Sequence, residues 1–176
     1  PAEAVKRMVE EFERVYNALE REMNLPEGFD KKQIVTIASL IEEETKLDEE
    51  RPLVSAVIYN RLKNGMTLDL DCTLQYALKK YGQRLLDSDK EVNSPYNTYR
   101  AKGLPPGPIS NPGLKSLRAA FKPADEPVLY FVSNADGKSH TFSRTLAEHN
   151  RAVARYRREI APQRLQCREK QRAEKD

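Results

Sequence analysis

The sequence predicts an α+β fold, mainly helical, with a small antiparallel sheet or hairpin. Apolar residues recur at three- and four-residue steps in several segments separated by Pro, Gly and Asn. One pair of short β-rich runs flanks an Asp-Gly loop, the pattern of a hairpin. The hydrophobic fraction of the 176 residues is 39%, and 32% are charged. That is a lean core, but the periodic runs are enough to close one, which excludes disorder throughout. No apolar stretch reaches the roughly 18–20 residues a membrane span needs, and no signal-peptide core stands at the start.

Residues 3–23 read as a long amphipathic helix carrying Val5, Met8, Val9, Phe12, Val15, Tyr16, Leu19 and Met23 on one face. Asn24 to Gly28 breaks it. A second helix is expected from Lys31 to Leu47 with Asp30 as N-cap, and a third from about Glu50 to Lys63, with Pro52 in its first turn and Gly65 near its end. Thr67 to Leu70 alternates like a short strand. A helix from Thr73 to Tyr81 follows, with Asp71 as its cap and Gly82 as its stop. Asp87 to Gly113 is rich in Pro and Gly but keeps Tyr96, Tyr99, Leu104 and Ile109, so an ordered segment is expected. Asn111-Pro112 reads as N-cap and first residue of a helix to Phe121. Strands at 128–133 and 139–143 and a last helix from Leu146 to Ile160 complete the chain. Residues 1–29 are thus a helix and turn, 30–160 the domain proper, and 161–176 a basic, frayed tail.

The net charge is +3, and the excess is local. From Arg151 onward nine Lys/Arg face four Asp/Glu, leaving residues 1–150 slightly acidic. This is not the basic, aromatic-laced surface of a nucleic-acid binder, so no nucleic-acid partner is expected. The tail reads as solvated, with contact to an anionic lipid or polymer as the alternative. Cys72 and Cys167 form no framework, and with His140 and His149 they make no metal pattern. Neither a metal nor a cofactor is expected, and Cys72 is given no role. The missing initiator Met suggests an excised piece of a longer protein.

The candidate chemistry lies in Glu42-Glu43-Glu44. At about 100° per residue, Ile34, Ile37, Leu40 and Ile41 define an apolar sector, and Glu44 projects into it while Glu42 and Glu43 fall outside. A carboxyl in apolar surroundings holds its proton to higher pH, as a general acid must. A slip of the helical frame would exchange Glu42 and Glu44, and pairing of Glu44 with Arg51 or Arg61 is the bland alternative. Asp71 is either a helix cap or the second carboxylate of a glycosidase pair. Tyr96-Asn97-Thr98-Tyr99 joins aromatic faces to hydrogen-bonding groups, a set that suits sugar rings as well as a core. His140 and Phe142 read as a satisfied imidazole and packing.

Ala38-Ser39-Leu40-Ile41-Glu42-Glu43-Glu44-Thr45, Tyr59-Asn60-Arg61-Leu62, Gly65-Met66, Leu70-Asp71-Cys72-Thr73, Tyr96-Asn97-Thr98-Tyr99, Gly103-Leu104-Pro105-Pro106-Gly107-Pro108-Ile109, Asn111-Pro112-Gly113, Leu129-Tyr130-Phe131-Val132 and His140-Thr141-Phe142 occur in that order. Together, over about residues 30–155, this set resembles the catalytic domain of the YceG-like endolytic murein transglycosylases. The resemblance implies a bacterial envelope enzyme at the periplasmic face of the inner membrane. It would cleave peptidoglycan strands between N-acetylmuramic acid and N-acetylglucosamine, leaving a 1,6-anhydro end. It also implies Glu44, followed by the hydroxyl residue Thr45, as acid/base, and Asn60, Arg61, Asp71, Tyr96, Asn97, Thr98 and Tyr99 as substrate-binding residues. Glycan strands are the expected partner and wall-synthesis proteins candidate ones. A membrane helix and a LysM-like domain are expected ahead of this region in the full-length protein, and this piece is expected to act more slowly without them. The competing readings are a lysozyme-like hydrolase using Glu44 and Asp71, and a wall-binding or divisome scaffold without turnover. A pyridoxal-phosphate lyase is disfavoured, because no phosphate-cradling glycine loop with a partnered lysine is present.

Overall fold

A computed structural model describes residues 2–173, with side chains described through residue 162. The order is α1 (Ala2–Met23), α2 (Lys31–Glu44), α3 (Arg51–Lys63), α4 (Asp71–Leu78), a short 3₁₀ helix (Asp87–Glu91), α5 (Leu114–Phe121), β1 (Tyr130–Ser133), β2 (His140–Ser143) and α6 (Leu146–Ala173). The fold is mainly helical with one antiparallel hairpin, as the sequence predicts.

Helix α2 is the central post, packed against α3, α4 and α5. Its start follows from Asp30, whose carboxylate accepts the Gln33 N–H at 2.8 Å while the Asp30 N–H donates to the Gln33 side chain at 2.9 Å. This reciprocal pair satisfies two of the free amides of the first turn. Ile34, Ile37, Leu40 and Ile41 are fully buried, so the predicted apolar sector is the face on which the core is built. The helix stops at Glu44, three residues before the expected end. Thr45 turns into extended backbone (φ −144°, ψ 144°) and is held there, donating its hydroxyl to Glu50 at 2.9 Å and accepting the Leu47 N–H at 3.1 Å.

Helix α1 lays Tyr16 and Leu19 against α5, with Tyr16 stacked obliquely on Phe121 at 5.4 Å. Its first turns leave Val5, Met8 and Val9 exposed. The strand expected at Thr67–Leu70 is absent, apart from a single bridge from Thr67 to Lys102. Its carbonyls are taken by Arg61, and Asp69 adopts φ 53°, which ends any ladder. Helix α4 starts two residues earlier than predicted. Leu70 occupies the cap, so the Asp71 carboxylate is released from capping. The helix also ends early, at Leu78, where Lys79 takes the left-handed conformation. For α5 the cap is Gly113 rather than Asn111, because Glu42 accepts both the Gly113 N–H at 3.1 Å and the Ser116 hydroxyl at 2.6 Å.

The Pro/Gly-rich segment is ordered, as predicted, around a fully buried Asn97. Its amide donates to the carbonyls of Lys90 and Val92 and accepts the Tyr99 N–H. The hairpin pairs Tyr130 with Ser143, Phe131 with Phe142, Val132 with Thr141 and Ser133 with His140. In its loop Asp136 accepts the Lys138 and Ser139 N–H groups and the Ser139 hydroxyl, bonds that hold its carboxyl down at about 2. Helix α6 packs on both strands and runs past the expected end near Ile160, through Pro162 to Ala173. The side chains of residues 163–176, including the tail's basic groups and Cys167, lie outside the described residues.

Candidate active site

The end of α2, the 67–71 loop and the hairpin converge on one side chain. Two clefts of about 480 and 560 Å³ meet at Glu44, Ser133 and His140. The first is walled by Arg61, Asp69, Asp71, Tyr99, Tyr130 and His149, and the second by residues 43–47 and the hairpin tip at Gly137 and Lys138.

Glu44 is the last helical residue, and its Oε1 is sealed from solvent without any hydrogen-bond partner. Burial pushes its carboxyl above the ordinary value. Contact with the Cys72 thiol opposes this, the Asp71 charge adds to it, and the Cys72 backbone and the nearby His140 ring pull it back in part. Burial beside the same carboxyl raises the Cys72 thiol well above its usual range, so it stays protonated. Among the described residues, the three consecutive glutamates have three separate fates. Glu43 is exposed. Glu42 is tied to Gly113, Ser116 and Arg51, which settles the question of the helical frame. Arg51 thus pairs with Glu42 and Asp48, and Arg61 with Asp69, so neither guanidinium neutralises Glu44.

Three of the other predicted residues line the cleft. Tyr99 donates its phenol to Asp71 at 2.6 Å, and burial together with that bond holds the phenol far above its usual range. Arg61, 7% exposed, donates to the carbonyls of Leu129, Thr67 and Leu68 and to Asp69, and lies 5.1 Å from the centre of the Tyr130 ring. It shapes the wall while stapling the 67–69 loop to the hairpin. The remaining four lie away from Glu44. Asn60 donates to the carbonyls of Glu126 and Val128. Tyr96 packs on Tyr76 at 4.8 Å. Thr98 bonds to Leu70 N and Thr73, and Asn97 is the buried hub of its loop. The polar atoms of Thr98 and Asn97 hold the frame that carries Asp71 and Tyr99, while Asn60 ties α3 to the segment before β1.

The sequence reasoning missed Glu50, Tyr130 and His149. Glu50, 6% exposed, accepts from the Thr45 hydroxyl, from the His140 N–H and from the His140 ring at Nδ1, the last two at 2.7 Å. His149 stacks on Tyr130 at 5.3 Å with its Nδ1 buried and unpartnered. Burial, then the Arg61 charge, lowers its pKa. No periodicity signals these residues, because Glu50 and His140, 90 residues apart, and Tyr130 and His149, on different elements, meet only through the fold.

Comparison with known proteins agrees with this architecture. The chain is 45% identical over 124 residues to an endolytic murein transglycosylase of Bacillus subtilis, covering 70% of this chain and 34% of that protein. Against the protein of the same description from Streptococcus pneumoniae serotype 2 it is 33% identical over 129 residues, covering 70% and 23%. The chain therefore spans about a third and about a quarter of the lengths of these two relatives. The crystal structure of a yceG-like protein of Listeria monocytogenes superposes with a TM-score of 0.68 at 39% identity, covering 77% of this chain and 42% of that one. The model of the YceG-like family matches residues 1–155, and the chain belongs to that family.

Proposed function

We propose that this domain is a peptidoglycan lytic transglycosylase of the bacterial cell envelope with Glu44 as its acid/base. The observation that carries this reading is the unpartnered, solvent-sealed Oε1 of Glu44 at the junction of two clefts. A carboxyl kept there in its protonated form can donate to the glycosidic oxygen as positive charge develops at C1 of the muramic sugar. The carboxylate left behind regains its proton from that sugar's C6 hydroxyl, whose O6 bonds to C1. The C1–O4 bond breaks and the C1–O6 bond forms, and no water is consumed. Arg61, Asp71 and Tyr99 offer hydrogen bonds along one cleft wall, and the Tyr130 ring offers a face for a sugar. The endolytic murein transglycosylases it resembles carry the same activity in their names.

The test is Glu44→Gln, which keeps the shape and removes the acid. Release of muropeptides from purified glycan strands is expected to fall by about 10²–10⁴-fold, and mass spectrometry of the wild-type products should give 1,6-anhydro ends. Undiminished cleavage by the variant would remove Glu44 from the chemistry. Reducing ends from the wild type would favour hydrolysis with Asp71, which lines the same cleft. Strands bound but left intact by the wild type would favour a scaffold.

A further inference from the structure

Besides the single carboxyl of the proposed mechanism, one side chain that can carry a proton lines both clefts and is held by its own carboxylate. His140 is paired with Ser133 in the hairpin, with Phe131 edge-on to its ring at 5.5 Å, and lines both clefts beside Glu44. Its orientation is set by a chain of bonds. The Thr45 hydroxyl accepts from Leu47 N and so turns its own hydrogen to Glu50. Glu50 also accepts the His140 N–H. With the carboxylate acting only as acceptor, the proton on the contact to the ring belongs to Nδ1. In the neutral form of the ring Nε2 then carries the lone pair, and it makes no hydrogen bond among the described residues.

We infer that His140 is a second catalytic residue of this site, its Nε2 accepting the hydrogen bond of the sugar hydroxyl that closes the anhydro ring. This rests on the transglycosylase reading above and deepens it. A hydroxyl that must attack its own ring carbon has to be turned towards C1 and kept there while water is kept away. Nε2 accepts the O6 hydrogen, orients the lone pair towards C1, and takes the proton as the C1–O6 bond forms. Glu50 then faces an imidazolium and offsets its charge, as a carboxylate behind a catalytic histidine does elsewhere. The Glu44 carboxylate, vacated when its proton went to O4, receives the proton and resets the site, so donors and acceptors balance without a co-reactant.

The test is the ratio of products, which a merely structural role would not move. His140→Asn retains a donor to Glu50 in the Nδ1 position and removes the Nε2 end. The variant is expected to cleave strands about 10²-fold more slowly and, with O6 no longer held, to release a larger share of reducing ends as water captures C1. An unchanged rate with the wild-type anhydro share would overturn the inference. So would a slower rate at that same share, which marks a purely structural loss. Should His140→Asn fail to fold, Glu50→Gln is measured in the same way, with a raised share of reducing ends expected and an unchanged share overturning the role. A wild type that forms no anhydro ends would refute the underlying lyase reading itself, an outcome separate from either variant result.

Discussion

In the proposed mechanism one carboxyl, Glu44, carries two opposite demands: it must be buried to hold a proton and open to reach a sugar. Its raised pKa has a consequence for stability with a definite sign. In the unfolded chain the group titrates at its ordinary 4.5, while in the fold burial lifts it. Between those two values the folded state binds more protons, so stability falls as pH rises through that window. Glu44→Gln, which does not titrate, is expected to gain in thermal midpoint relative to wild type as pH increases above about 4.5, and to lose that advantage below it. Parallel melting curves at every pH would mean that position 44 titrates like an exposed glutamate.

At the scale of the elements, stability and site share the same parts. Arg61 is the clearest case, because one side chain spans the end of α3, the 67–69 loop and the hairpin. Arg61→Ala leaves three carbonyls and the Asp69 carboxylate without their donor and is expected to cost about 3–5 kcal/mol, read as a fall in melting temperature. Arg61→Lys should recover little, since a single ammonium cannot reproduce the fork. The helices were legible in the sequence because burial on one face imposes a period, and Ile34, Ile37, Leu40 and Ile41 point straight to Glu44. Element ends were less legible. Thr45 stops α2 through Glu50, Gly113 replaces Asn111 as the α5 cap through Glu42, and Thr67–Leu70 fails as a strand through Arg61, each a contact that local propensity does not contain. Tyr96-Asn97-Thr98-Tyr99 shows the same limit. Its residues were equally suited to a sugar or to a frame, and only Tyr99 reaches the cleft.

For the whole molecule, two clefts meet at one carboxyl, and under the proposed function they would take sugars on both sides of the broken bond. Longer strands fill both and spend the added contact on holding the reacting bond in place. The rate per bond is therefore expected to rise at least about tenfold from a disaccharide unit to a strand long enough to occupy both clefts, measured by chromatography of size-defined glycans. Equal rates would mean that a single cleft does the binding. No helix among the described residues is long and apolar enough to cross a membrane.

The fixed length of α2 has a consequence of its own. Asp30 locks the first turn and Thr45 the last, so the direction of the acid is determined by a count of residues. One extra alanine between them would swing the following side chains by about 100° and send a different glutamate to the junction, leaving the scaffold upright but aiming its tool at the wrong wall.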